Sequence, residues 1–114
     1  MYTTIFAQEI AKVGEQVCIT FTIKDNSGAA VLVTGLAASF KISRRAGDTA
    51  FLSLTQVAGI TLTGSTAVVL FNTNTVLVGT VQALGDLFAQ LSITKAGNTL
   101  YVAEGIITIL PVNS

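Results

Sequence analysis

Apolar residues recur at every second position along three segments of the chain. The first segment runs from Val17 to Lys24, the second from Leu36 to Ser43 and the third from Leu87 to Ile93. Side chains of a β-strand point alternately to its two faces, so a repeat of two residues indicates a strand with one buried face. The pattern therefore predicts half-buried strands at these positions, and we expect Phe21 and Phe40 to be the main core residues.

Turn-forming residues divide the rest of the chain into short segments. Glycine-rich or Asx-rich clusters occur at 25–28, 44–48, 62–66, 72–75 and 95–99. Further strands are predicted between them, at 51–55, 59–63 and 67–71. A tight turn of type I′ or II′ at Gly64-Ser65 would join the last two of these strands. The stretch from Val76 to Leu84 fits an extended connection and a single helical turn equally well.

The last predicted strand runs from Leu100 to Leu110 and contains Gly105, which indicates a β-bulge or a close approach of backbone. The apolar residues after this glycine would lie on both faces of the strand; they are Ile106, Ile107, Ile109 and Leu110. A strand that is apolar on both faces has to be covered on both. We therefore expect a second layer here, most simply a neighbouring subunit, and interpret these residues as part of an interface.

Half-buried strands stabilise one another only when their apolar faces pack against a second sheet. A chain of 114 residues suits one hydrophobic core. The sequence therefore predicts an all-β protein, an antiparallel β-sandwich of about seven to nine short strands. We expect it to form one domain over residues 1–114.

Composition suggests that this domain is not solitary. Charged residues make up 11% of the chain, against about 25% in ordinary soluble proteins. Such a surface would be poorly hydrated unless other subunits cover part of it, so we expect a homo-oligomer. The net charge is zero, which gives no reason to expect nucleic acid or an anionic membrane as a partner. No apolar run reaches membrane-spanning length, and the N-terminal residues lack the pattern of a signal peptide.

The chain lacks the residue patterns that catalysis or cofactor binding usually requires. There is no histidine to act as a general acid or base. Cys18 is the only cysteine, and without a histidine to activate it we interpret it as an inert strand thiol. The carboxylates show no spacing typical of a glycosidase pair. The segment from Asp25 to Gly28 lacks the alternating acids of a calcium loop and is predicted to be a hairpin turn. Without zinc or nucleotide motifs either, the sequence predicts a protein that is not an enzyme and holds no metal or other cofactor.

Arg44 and Arg45 form the only local concentration of charge. Arginine is enriched at protein contacts and pairs with carboxylates through two hydrogen bonds, so one hypothesis makes either residue an interface anchor. The simpler interpretation, which we favour, is a solvated loop with Asp48 nearby.

Two longer segments carry a family resemblance. The first is QVCITFTIKDNSGAAVLVTGLAASFKISR, from Gln16 to Arg44, with its strand ending in FTIKD, its D-x-x-G turn, its Thr34-Gly35 pair and its F-x-I strand. The second is LFAQLSITKAGNTLYVAEGIITI, from Leu87 to Ile109, with a glycine in its last strand. Together they resemble the immunoglobulin-like domain at the N-terminus of phage baseplate upper proteins and of related virion proteins.

The resemblance implies an immunoglobulin-like sandwich in a structural protein of a phage particle. Such a protein would act through protein–protein contacts with itself and with other virion proteins, and would be made in the host cytoplasm before it enters the virion. These domains often precede a longer receptor-binding or fibre segment, whereas this sequence ends at Ser114. We therefore expect a short stand-alone subunit: an adaptor of the tail or baseplate, a fibre base or a capsid decoration protein.

Two other functions stay open. A carbohydrate-binding or receptor-binding module would place its site on the loops at one end of the sandwich and would need aromatic side chains there. The chain has no tryptophan and its only tyrosines are Tyr2 and Tyr101, which makes it poorly suited. An enzyme is the least supported function, because the necessary groups are missing.

Overall fold

The computed structural model describes residues 2–56 and 58–111, apart from the side chain of Tyr2. Strands account for nearly all of the regular structure there, which confirms the all-β prediction. They are β1 (Tyr2–Ile5), β2 (Glu9–Lys12), β3 (Gln16–Thr22), β4 (Ala37–Ser43), β5 (Leu52–Gln56), β6 (Gly59–Thr63), β7 (Thr66–Asn72), β8 (Leu77–Val78), β9 (Val81–Gln82), β10 (Gly85–Lys95) and β11 (Asn98–Leu110). A 3₁₀ turn, Thr73–Thr75, follows β7.

The strands form two layers along one curled hydrogen-bonded path. In the first layer β1 and β2 both pair with β11, and β10, β4 and β5 follow. In the second layer β6, β7 and β3 lie side by side, with β6 joined to β5. Phe40 of β4 faces Phe71 of β7 across the layers, with ring centroids 6.0 Å apart. The fold is therefore a β-sandwich whose core lies between the layers.

The strand pairing differs from a purely antiparallel sandwich of seven to nine strands. β1 and β2 run parallel to β11, and β5 runs parallel to β6. The described part of the chain has eleven strands, because the N-terminal segment forms two and β8 and β9 form a small hairpin within 76–84. The sequence does not predict the parallel pairing of β1 and β2 with β11, because it joins the two ends of the chain, as in the pair Tyr2–Tyr101.

The alternating segments bury the faces that the sequence predicts. Phe21 is 4% exposed and Phe40 is fully buried, so both expected core residues are confirmed. The buried apolar residues of the two layers form one cluster. Its largest fully buried members are Phe40, Ile23, Ile42, Ile60, Leu87, Leu91, Ile93, Ile107 and Ile109.

The predicted turns are present with specific geometry. Gly64 has φ +59°, whereas the next residue, Ser65, does not have a positive φ, so the β6–β7 turn is type II′. In the hairpin after β3, the Gly28 amide donates to the Asp25 carbonyl oxygen at 3.0 Å. The Asp25 amide in turn donates to the Ala29 carbonyl oxygen at 2.9 Å, which confirms a hairpin turn there.

Gly105 lies within a continuous β11 and allows a close approach of another side chain. A Cβ atom at this position would lie 2.6 Å from Phe6 Cε2, since the Phe6 ring covers the glycine. The pairing of β10 with β11 shifts register between Ile93 and Thr94, not at Gly105. The close-approach interpretation is confirmed and the β-bulge interpretation is wrong. Phe6 also packs edge-to-face on Phe21 of the second layer, at 5.4 Å between centroids.

Candidate interaction surface

The outer face of the first layer carries a cluster of apolar side chains. Ile5 on β1 is 82% exposed and Ile106 on β11 is 39% exposed. Half-buried Phe88 lies opposite Ile106 on β10, and Ile5 lies opposite Glu104. These side chains, with Gly105, line a shallow depression of about 210 Å³. We call Ile5, Phe88 and Ile106 the apolar patch.

A more polar cavity adjoins the apolar patch. It has a volume of about 250 Å³ and is lined by Lys41, Ser43, Gly47, Asp48, Ala50, Phe88 and Gln90. Lys41 lies opposite Gln90 in the pairing of β4 with β10. Gln90 Nε2 donates to Glu104 Oε1 at 3.1 Å, which connects the polar cavity to the edge of the apolar patch. The polar cavity thus combines basic, acidic and amide groups with the ring of Phe88.

A row of hydrogen-bonded polar side chains borders the apolar patch. Gln8 Nε2 donates to Thr108 Oγ1 at 2.7 Å, and Thr108 Oγ1 donates to Asp86 Oδ1 at 2.6 Å. The row joins the segment between β1 and β2 to β11 and β10. Beside it on β2 lies Ile10, which pairs with Thr108 and is 61% exposed. Ile10 therefore adds exposed apolar surface next to this row.

The structure separates the C-terminal residues that the sequence assigns to an interface. Ile107 and Ile109 are fully buried in the core of the chain itself, because the second layer covers that face of β11. Ile106 is exposed and Leu110 is half-buried on the opposite face. A partner docked on the folded chain could touch Ile106 and Leu110 but not Ile107 or Ile109. The interface itself stays a prediction, now restricted to one face of the strand.

Arg44 is held by contacts within the chain. Its Nη1 donates to the Leu84 carbonyl oxygen at 2.9 Å, and its guanidinium lies 5.6 Å from the ring centroid of Phe51. Arg45 is also exposed, and its carbonyl oxygen accepts a hydrogen bond from Ser43 Oγ at 2.7 Å. Arg44 therefore has a role in joining two loops, and Arg45 is the better candidate of the pair for a contact with another molecule.

The structure places the chemically reactive side chains apart from one another. Within residues 2–56 and 58–111, no three Cys, Asp or Glu side chains lie close enough to hold a metal ion. Cys18 lies exposed on β3, so it is not a packing residue. Hydrogen bonds from the Ser27 hydroxyl and from the Ala29 and Ser27 amides lower the pKa of Asp25, which stabilises the turn. In the same part of the chain, no helix has the length and apolar character needed to cross a membrane.

Sequence reasoning missed two of the three residues of the apolar patch. Ile5 lies ahead of the recognised strands, and nothing in its local pattern tells which face it takes. Phe88 carried a usable signal, because it occupies an outward position of the alternating segment 87–93, where the other outward residues are polar. An aromatic residue at such a position indicates an exposed apolar surface.

Comparison with protein-family models and with curated protein sequences found no match to this chain. The resemblance to the N-terminal domain of phage baseplate upper proteins stays a prediction.

Proposed function

We propose that this chain is a structural protein of a phage particle, which acts through protein–protein contacts and self-assembly and catalyses no reaction. The observation that supports this most is the apolar patch. Exposed single apolar residues are common, but here two exposed isoleucines border an aromatic ring around a shallow depression on the outer face of the first layer. Clustered apolar surface of this kind is typical of a site that another protein covers.

The electrostatics of the chain favour close packing of many copies. The net charge is zero and only 11% of residues are charged, so identical subunits would not repel one another at long range. Glu104 is the one charged residue that lines the depression, and its carboxylate already accepts a hydrogen bond from Gln90 Nε2. A partner would therefore remove few charges from water, which keeps the cost of desolvation low.

The apolar patch can be tested by removing its exposed isoleucines without changing charge. We expect the wild-type chain to form oligomers in light scattering at micromolar concentration, and Ile5→Gln/Ile106→Gln to shift them to smaller species. The matched control, Leu32→Gln/Val81→Gln, replaces residues that are 77% and 66% exposed elsewhere on the surface. If both double variants behave like the wild type, the apolar patch is not an assembly surface.

Location in a particle needs a separate experiment. Quantitative mass spectrometry of purified phage particles that carry this gene should find the chain at a fixed ratio to the major structural proteins. Absence of the chain from such particles, with the chain present in the infected cells, would contradict a virion protein.

The polar cavity favours a second candidate, a carbohydrate-binding or receptor-binding module. A ring beside hydrogen-bonding groups is the arrangement that sugars use, and Phe88 lies with Lys41, Asp48 and Gln90 in this cavity. Selective binding on a glycan array, lost in Lys41→Ala/Gln90→Ala and kept in the surface control Gln16→Ala/Lys95→Ala, would establish this function. Equal binding by all three proteins, or none by the wild type, would exclude the cavity as a sugar site.

A further inference from the structure

β3 is an edge strand with backbone groups that face away from its neighbour. Among the described residues it pairs with β7 alone. At one end of this ladder the Ile23 amide donates to the Ser65 carbonyl oxygen at 2.7 Å. At the other end the Thr73 amide donates to the Glu15 carbonyl oxygen at 3.0 Å. Successive residues of an antiparallel strand point their backbone N–H and C=O groups to alternate sides. In β3 these groups face β7 at the odd-numbered residues and face away from it at the even-numbered ones.

The outward backbone groups of β3 belong to its exposed residues. These are Gln16, Cys18, Thr20 and Thr22. Both strands of the N-terminal segment pair with β11, and the Phe6 ring between them packs on Phe21 of β3 from the core side. The path of the N-terminal segment on β11 therefore leaves the edge of β3 without a strand from the described part of the chain.

This edge lacks the features that normally prevent strand addition. Proteins protect exposed edges with charged side chains, proline or bulges. Residues 16–22 contain no charged residue and no proline, and they pair with β7 without a register shift. Five of the seven residues are β-branched or aromatic, the residue types that favour strands. Another extended chain can pair with all of these outward backbone groups at once.

We propose that the β3 edge pairs antiparallel with the β3 edge of a second copy of this chain. The result would be a two-fold symmetric dimer in which the three-stranded second layers of both copies join into one layer of six strands. A register centred on Ile19 gives hydrogen-bond partners to the outward backbone groups of all four residues. It places Gln16 opposite Thr22 and Cys18 opposite Thr20. Every such pair is uncharged and lies on the same face. Because the chain has zero net charge, two copies can approach each other without long-range repulsion.

The dimer belongs to the self-assembly part of the proposed function but uses a different surface, so the two can fail separately. Cys18→Lys/Thr20→Lys places like charges along the edge and leaves the apolar patch unchanged. We expect it to weaken dimerisation in sedimentation equilibrium by at least about tenfold. Thr61→Lys, an exposed threonine on the same face but on β6, should leave the dimer intact. Ile5→Gln/Ile106→Gln should also keep this dimer.

Circular dichroism must show that the lysine variant keeps the wild-type fold. A wild-type chain that stays monomeric at high micromolar concentration would overturn the dimer. So would equal loss of dimer in Thr61→Lys and in the edge variant. If only Ile5→Gln/Ile106→Gln loses the dimer, the edge dimer is contradicted, whereas self-assembly through the apolar patch is supported.

Cysteine cross-linking tests the register. Opposite residues in an antiparallel ladder have Cα atoms about 5.5 Å apart, which suits a disulfide. Thr20→Cys should therefore form a cross-linked dimer with Cys18 of the second copy under mild oxidation. Cys18→Ser/Thr20→Cys and Thr61→Cys should not, because their cysteines have no cysteine opposite them. Cross-linking no stronger in Thr20→Cys than in these controls would contradict this pairing.

Discussion

At Gly105 one missing side chain determines where an aromatic ring can lie. The Phe6 ring occupies the space that a Cβ atom would need, 2.6 Å from the nearest ring carbon. The backbone of Gly105 does not have a positive φ, so alanine would be acceptable there except for this contact. The sequence predicts a close approach at this glycine, but only the tertiary structure identifies Phe6 as the residue that approaches.

Gly105→Ala should lower the free energy of unfolding by about 1–3 kcal/mol, because the Phe6 ring has to move out of its position. Urea denaturation measures the change. In a Phe6→Ala background the same substitution should cost much less, because the space is then empty. Equal costs in both backgrounds would show that the contact with Phe6 is not what requires glycine.

Asp25 makes the stability of the β3 hairpin turn dependent on pH. Its pKa lies below the ordinary value of 3.8 in the folded chain, chiefly through the Ser27 hydroxyl and then the Ala29 and Ser27 amides. A lowered folded pKa stabilises the native state at pH values above the unfolded pKa. That contribution is lost as the pH falls through the folded pKa.

Stability should therefore decline below about pH 4 in part because Asp25 becomes protonated. Asp25→Asn should reduce this decline, since the amide has no charge to lose. Thermal unfolding of both proteins between neutral and strongly acidic pH measures the difference. The turn contributes nothing to acid sensitivity if the two proteins lose the same stability over that range.

At the scale of elements, the β10–β11 hairpin shows how well local patterns work for neighbouring strands. The turn-forming cluster at 95–99 and the alternation before it predict this hairpin, and the structure pairs Lys95 with Asn98 around the turn residues Ala96 and Gly97. Both turn residues have positive φ, 52° and 83°, which is a type I′ turn. Alanine is an unusual choice there, because its Cβ is strained in this conformation.

Ala96→Asn should raise the free energy of unfolding by about 0.5–1 kcal/mol, since asparagine tolerates the left-handed conformation and favours this turn. The exposed loop residue Ala46, which does not have a positive φ, provides the matched control. Ala46→Asn should change stability by less than about 0.5 kcal/mol. Chemical denaturation compares the two, and an equal effect at both positions would exclude turn geometry as the cause.

The N-terminal segment is the element that local patterns describe least well. β1 and β2 are four residues each and pair with β11 in parallel. Their partners are at the other end of the chain, and their own residues show no clear period. This pairing nevertheless determines both candidate surfaces, because it brings Ile5 to the apolar patch and leaves the edge of β3 open.

For the whole molecule, stability depends on the contact of the two layers. Phe40 is fully buried and faces Phe71 of the second layer. Phe40→Ala should lower the free energy of unfolding by about 3–5 kcal/mol, a large share of the roughly 5–15 kcal/mol of a typical domain. Leu32→Ala, at a residue that is 77% exposed, should change it by less than about 0.5 kcal/mol. Comparable losses in both variants would contradict a core centred on Phe40.

The sequence by itself determined the all-β class, the half-buried strands, the core residues Phe21 and Phe40 and most of the turns, because alternation and turn chemistry act between neighbouring residues. Only the tertiary structure decided which side of β11 is covered by the chain itself, and therefore that Ile107 is core and Ile106 surface. The same holds for the open edge of β3. The covered face of β11 and the open edge of β3 both depend on contacts between residues far apart in the chain. The periodicity of a single strand indicates which side chains share a face, but not what lies against that face.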